Sequence, residues 1–258
     1  MTVKPFDRCS ALLTGATSGI GLATAVALAA AGVPRIAVNG RNTARGAAAV
    51  EAIRKAAPQV EVRFYAADVT QAAAVRDMVD DAAATFGSLD LVMNCAGGNH
   101  PPALFHESDP AGFPDVVASS LFGILHTCHA ALPHLKRAGG GVIVNTASDA
   151  AKVPTPGEAV IGAMMAAIVM FSRTLAAEAG RDGIRVNTIT PSLVEGTKTY
   201  DMVMADPFAQ RLFGKAIPRA RLGLAQPEDQ AALAVFLMSP AAARLTGQAI
   251  SVNGGIST

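Results

Sequence analysis

Short apolar runs alternate with helix-length segments along the whole chain, and this alternation limits the fold more than any other feature. The runs at 10–13, 35–39, 60–66, 89–94, 141–145, 185–190 and 249–252 read as strands. Ala- and Leu-rich stretches such as 21–31, 43–57 and 71–86 lie between them with the length and composition of helices. Strand, helix, strand repeated in this way calls for right-handed crossovers. The expected fold is therefore α/β: a doubly wound parallel sheet of about seven strands with helices on both faces. Chains of this class with about 250 residues form one domain, and no Pro/Gly/Ser-rich linker or internal repeat divides residues 1–258, so a single domain is expected. One stretch breaks the rhythm. Residues 197–227 mix Lys, Tyr, Asp, Met, Phe, Arg and Pro without a strand pattern. In a compact domain such an insertion reads as a substrate lid.

Charge and cysteine usage exclude several function classes. The net charge is +1 with no long run of one sign, so neither a nucleic-acid nor a membrane partner is expected. Cys9, Cys95 and Cys128 are too widely spaced for a disulfide framework or a zinc site, which suits a reducing cytoplasm. His126 and His129 are three apart but have no Asp, Glu or Cys beside them, so no metal site is expected. The apolar stretches 23–31 and 159–171 fall short of the roughly 18–20 residues a membrane span needs. Residues 1–8 carry no apolar signal core, and a soluble cytoplasmic protein is the expectation.

The first strand runs into Thr14-Gly15-Ala16-Thr17-Ser18-Gly19-Ile20-Gly21 and then a helix. Glycines there permit a tight turn and let backbone approach a pyrophosphate, which a helix N-terminus attracts. A three-glycine turn alone is weak evidence, but between an apolar strand and an Ala-rich helix it points to a Rossmann-type dinucleotide site. The second strand ends at Val38-Asn39-Gly40-Arg41. An NAD(H) site would place a carboxylate here for the ribose 2′-hydroxyl. Gly40 offers none and Arg41 can pair with a 2′-phosphate, so NADP(H) is favoured over NAD(H).

Together with these residues, later landmarks resemble the short-chain dehydrogenase/reductase family over nearly the whole chain. Asp68-Val69 looks like the pair beside the adenine. Asn94-Cys95-Ala96-Gly97 is similar to the family's turn beside the cofactor, and Gly141 to Asn145 to the strand that leads to its catalytic serine. Arg185-Val186-Asn187, followed by Pro191, Val194 and Thr197, looks like the nicotinamide loop, and residues 245–255 like the closing strand. The resemblance implies cofactor contacts from Gly15, Thr17, Ser18, Gly19, Ile20, Gly21, Arg41, Asp68, Val69, Asn94, Ala96, Gly97, Val194 and Thr197. It also implies a homo-oligomer, dimer or tetramer, built on the helix at 160–175. The Gly196-Thr197 ending is similar to the dienoyl-CoA reductase branch, which admits an acyl-CoA among small-molecule substrates, with Lys215, Arg219 and Arg221 near its phosphates.

The catalytic half departs from that pattern. The family uses an Asn, a Ser, a Tyr and a Lys, the Lys lowering the tyrosine pKa and bonding the ribose. Ser148 holds the serine position, but Ser120 stands at the Asn, Ile161 at the Tyr and Met165 at the Lys. Pro156, Ala163 and residues 171–175 hold the register, and no tyrosine occurs between Tyr65 and Tyr200. Neither Ile161 nor Met165 can move a proton. Losing a positioned acid/base costs about 10² to 10⁴ in rate. Losing the lysine weakens the grip on the cofactor by roughly 1–3 kcal/mol. Replacement donors by position are Asp149, Glu158 and Tyr200, with His100 and Lys198 near the same cleft. Three readings stay open: an NADP(H)-dependent reductase of a carbonyl or activated alkene with a non-standard proton donor, a non-redox lyase or isomerase using Asp149 or Glu158, and an inactive cofactor-binding or partner subunit.

Overall fold

The computed structural model describes residues 4–97 and 100–257; the first three residues of the N-terminal segment considered above therefore lie outside the described residues. Seven strands form one parallel sheet: β1 (Ser10–Thr14), β2 (Arg35–Gly40), β3 (Glu61–Ala66), β4 (Leu91–Asn94), β5 (Gly141–Thr146), β6 (Ile184–Ile189) and β7 (Ala249–Ile250). Their order is β3-β2-β1-β4-β5-β6-β7, so the winding reverses between β1 and β4. That reversal opens a crevice at the carboxyl ends of the strands. Every strand read from the sequence is present, with ends shifted by at most two residues. The fourth and last are each two residues shorter than read, and β7 pairs only at Ala249 and Ile250 before the chain turns away.

Two helical layers cover the sheet. Helices α1 (Gly19–Ala30), α2 (Thr43–Ala56) and α9 (Pro227–Met238) pack on one face. Helices α3 (Ala72–Phe86), α5 (Gly123–Arg137) and α6 (Ala159–Ala179) pack on the other. Strand side chains alternate between the layers as the pleat requires: Leu12 and Val92 face α3 and α5, whereas Leu13 and Met93 face α1 and α9. Both faces are buried, which explains why β1 reads as an unbroken buried run.

The remaining helices flank the crevice. A short α4 (Phe113–Val117) continues through a π-helical turn (Ala118–Phe122) into α5. After β6 come α7 (Lys198–Ala205) and α8 (Pro207–Ala216), which with Leu193 and Ile256 enclose a small apolar core of their own. The irregular stretch after residue 197 is thus a braced helix pair rather than open loop. By length and composition two segments, Pro110–Arg137 and Ala159–Asp182, are long and apolar enough to cross a membrane. The second is longer than the charge-free run 159–171, because Arg173, Glu178 and Arg181 are spread through its final turns. Both pack one face on the sheet, as crossover helices of this fold do.

The turn after β1 has almost no free space. Gly15 adopts φ +62°, and a Cβ there would lie 2.5 Å from the Ala96 nitrogen. A Cβ on Gly21 would meet the Gly15 carbonyl oxygen at 2.7 Å. Both clashes are with backbone, which cannot step aside. Gly15→Ala is therefore expected to destabilise the fold by about 1–3 kcal/mol, read as a drop of several degrees in melting temperature against wild type.

Candidate active site

A cleft of about 440 Å³ opens above the carboxyl ends of the strands at the β1/β4 reversal. Gly15, Thr17, Ser18, Gly19, Ile20 and Gly21 line one end. Ser18 precedes α1 but its side chain caps none of the helix's amide groups. Those first amides therefore point into a cradle that only glycines leave open, which is what a pyrophosphate requires.

The neighbouring wall comes from β2 and β3. Asn39 is buried, and its amide donates to the carbonyls of Tyr65 (3.1 Å) and Ala67 (3.0 Å), locking the end of β2 to the turn that carries Asp68. A Cβ on Gly40 would lie 2.7 Å from Thr17 Cγ2, so a side chain there requires the Thr17 side chain to shift. Arg41 stands exposed, 3.9 Å from Asp68. The Asp68 carboxyl is held below its usual range, chiefly by the Thr70 backbone amide and further by Arg41. Val69 lies beside it in the wall. Arg45, in the first turn of α2, lines the same wall and was missed in the sequence. Its place just behind the Asn42 cap, close to Arg41 in the sequence, was the available signal. These residues fit a dinucleotide, with two guanidinium groups and no fixed carboxylate at the end of β2.

Beneath the centre lies a chain of buried polar groups. The amides of Cys95 and Ala96 donate to Thr14 Oγ1 (3.3 and 3.4 Å), which fixes the turn that brings Ala96 and Gly97 to the cleft. The Asn94 amide donates to Asn145 Oδ1 at 2.9 Å, and the Asn145 amide donates to Ser172 Oγ on α6 at 2.9 Å. Asn94 is therefore part of the floor and does not line the cleft. Arg185 and Asn187 are also buried; they bond carbonyls at Leu237, Ser239 and Leu245, while Pro191, Val194 and Thr197 reach the cleft.

The opposite end gathers Ser148, Glu158, Ile161, Met165, Ser120 and Tyr200. Ser148 Oγ accepts from the Ala150 amide at 3.2 Å, leaving its own hydroxyl proton to donate elsewhere. Ser120 is buried in the π-helical turn. His100 Nε2 lies 2.7 Å from Ser119 Oγ, whose proton goes to the Asp115 carbonyl at 2.7 Å. Glu158 immediately precedes α6 and caps none of its amides. Burial pushes its carboxyl up to about 7, against a smaller opposing effect of the Thr155 hydrogen bond. Its backbone is held by the preceding turn, where Gly157 (φ +86°) accepts from the Ala103 amide at 2.9 Å and packs against Phe208.

Asp149 lies apart from this group. It is 5% exposed and is absent from the cleft lining. Its carboxylate accepts from Ser251, Asn253 and Ser257 at 2.6, 2.5 and 2.6 Å. Lys198 lines the cleft, whereas Lys215, Arg219 and Arg221 stand outside it. His126 bonds the Val69 carbonyl at 3.0 Å, and among the described residues no group of three or more His, Cys, Asp or Glu is placed to hold a metal ion.

Comparison with known proteins gives this geometry relatives. The profile of the family described as enoyl-(acyl carrier protein) reductase matches residues 15–257. D-threitol dehydrogenase of Mycolicibacterium smegmatis is 39% identical over 253 residues, covering 96% of this chain and 93% of that protein. Levodione reductase superposes with a TM-score of 0.91 at 28% identity, covering 97% of this chain and 98% of that one. A 3-ketoacyl-(acyl-carrier-protein) reductase from Brucella melitensis, complexed with NADH, has a TM-score of 0.85 at 30% identity, with 97% and 98% coverage.

Glu158 makes a prediction that needs no substrate. Its carboxyl titrates at about 7 when folded, against 4.5 as its ordinary value. Between those values the folded chain binds more protons than the unfolded one, so the contribution of Glu158 to stability falls as pH rises through that window. Glu158→Gln should raise the melting temperature relative to wild type at pH 8 and leave it nearly unchanged at pH 4.5. Equal effects at both pH values would contradict the assignment.

Proposed function

The chain belongs to the short-chain dehydrogenase/reductase family, and we propose that it is an NADP(H)-dependent reductase of a carbonyl or activated alkene that takes its proton from Glu158. The observation that carries this reading is one carboxyl, desolvated to titrate at about 7, in the same cleft as Ser148, Ile161 and Met165. A group poised near neutrality can both hold and release a proton under ordinary conditions.

The chain's own residues divide the work. Gly15, Gly19 and Gly21 admit the pyrophosphate to the α1 amides, and Arg41 with Arg45 meets a 2′-phosphate at the end of β2, where Gly40 carries no carboxylate. When bound, the nicotinamide supplies or accepts the hydride. Ser148 donates its hydroxyl proton as a hydrogen bond to the substrate oxygen, and protonated Glu158 delivers the proton that completes the reduction. Ile161, Met165, Leu193 and Met202 give that end of the cleft an apolar lining, which suits a substrate with an apolar body such as an acyl thioester. Helix α7, which lines the cleft through Tyr200, Met202 and Val203, is read as a lid. The outward side of α6, with Met170 59% exposed, supports self-association as a dimer or tetramer, and a cytoplasmic setting goes with this reading.

Two measurements test it. NADPH consumption across a panel of ketones and enoyl thioesters should show reduction that is flat below about pH 7 and declines above it, because only protonated Glu158 donates. Glu158→Gln should lower kcat by about 10² to 10⁴ and abolish that decline. No turnover across the panel by protein shown to be folded would overturn the proposal. In binding titrations, Arg41→Asp should weaken NADPH by about 10- to 100-fold while sparing or improving NADH. Unchanged selectivity would remove Arg41 from the cofactor site.

A further inference from the structure

Asp149 directly follows Ser148, yet every hydrogen bond to its carboxylate comes from a segment about a hundred residues later. Oδ1 accepts from Ser251, which itself accepts from Lys152 and pairs with Thr190 at 2.9 Å. Oδ2 accepts from both Asn253 and Ser257. The Asp149 amide donates to the Pro191 carbonyl at 2.9 Å, at the root of the segment that leads into α7. A buried carboxylate with three donors, and with the Lys152 ammonium 3.7 Å from Oδ1, is held in one geometry, because each donor lost weakens the solvation of a charge in a dry site.

The fastened segment then reaches the helix pair. Ile256, 5% exposed, sits in the small apolar core with Leu193, Val203 of α7 and Ala209 of α8. The Gly254 carbonyl accepts from the Leu222 amide at 3.1 Å, and a Cβ on Gly254 would collide with the Gly223 carbonyl. Residues 251–257 are thus tied to the Ser148 loop through Ser251, Asn253 and Ser257, and to α7 and α8 through Ile256.

We propose that Asp149 is a positioning residue: by anchoring residues 251–257 it holds the α7–α8 pair in place over the substrate end of the cleft, in register with Ser148. This rests on reading α7 as a lid, and the first readout needs neither substrate nor cofactor.

Hydrogen exchange on the full-length protein should show amides of 198–216 in Asp149→Asn exchanging about tenfold faster or more than in wild type, with β1, β4 and β5 unchanged. The exchanged pair Asp149→Asn with Asn253→Asp, which keeps one carboxylate and one amide across the contact, should restore much of the protection. Ile256→Ala weakens the apolar half of the tie and should loosen 198–216 while leaving the 149–253 contact intact; it carries the same test if Asp149→Asn does not fold. In turnover assays Asp149→Asn should raise KM several-fold with a smaller change in kcat, the pattern of a loosened binding wall. Unchanged exchange at 198–216 would overturn the proposal even in an active enzyme. Exchange that spreads equally through the sheet would also overturn it, since Asp149 would then be a general stability residue.

Discussion

The site depends on a buried crosslink between neighbouring strands, the Asn94 amide bonded to Asn145. Neither side chain can reach water, so each must find its partners inside the protein, and an unpaired amide there would cost about 1–3 kcal/mol. That requirement fixes β4 against β5, and the onward bond from Asn145 to Ser172 fixes α6 against both. Thr14 extends the chain to β1 through the amides of Cys95 and Ala96. The ends of three strands and one helix are thereby held together beneath the cleft. The glycine cradle, the Ser148 loop and the start of α6 all rest on that platform.

The other end of the cleft is less polar. Ile161 and Met165 fill positions where the family resemblance calls for a tyrosine and a lysine, and they make the cleft less polar. A carboxyl beside such a wall loses hydration, and its charged form becomes less favourable. On the proposed reading, the apolar residues of α6 and the desolvated carboxyl just before its first turn belong to one arrangement. In the proposed mechanism the proton comes from a desolvated acid, with no lysine to tune it.

Much of the fold was legible because parallel strands buried on both faces leave unbroken apolar runs, and the helices between them repeat. The glycine turn was equally legible, since close backbone approach leaves glycine as the residue that fits. Arg41 could be found from its place at the end of β2; Arg45 was missed because its membership in the wall depends on how α2 leaves the strand. Glu158 and Asp149 looked alike in the sequence, two acids near a serine. Only the folded chain separated them, by enclosing one in an apolar cleft and giving the other three hydrogen-bond donors from the end of the chain.

The sequence by itself determined the α/β alternation and the glycine-rich turn after the first strand, because these follow from residue type and local spacing. The tertiary structure decided which acid faces the cleft, which buried amides join the strands and where the last residues dock. Those outcomes depend on desolvation and on contacts between segments far apart in the chain, which local spacing does not encode.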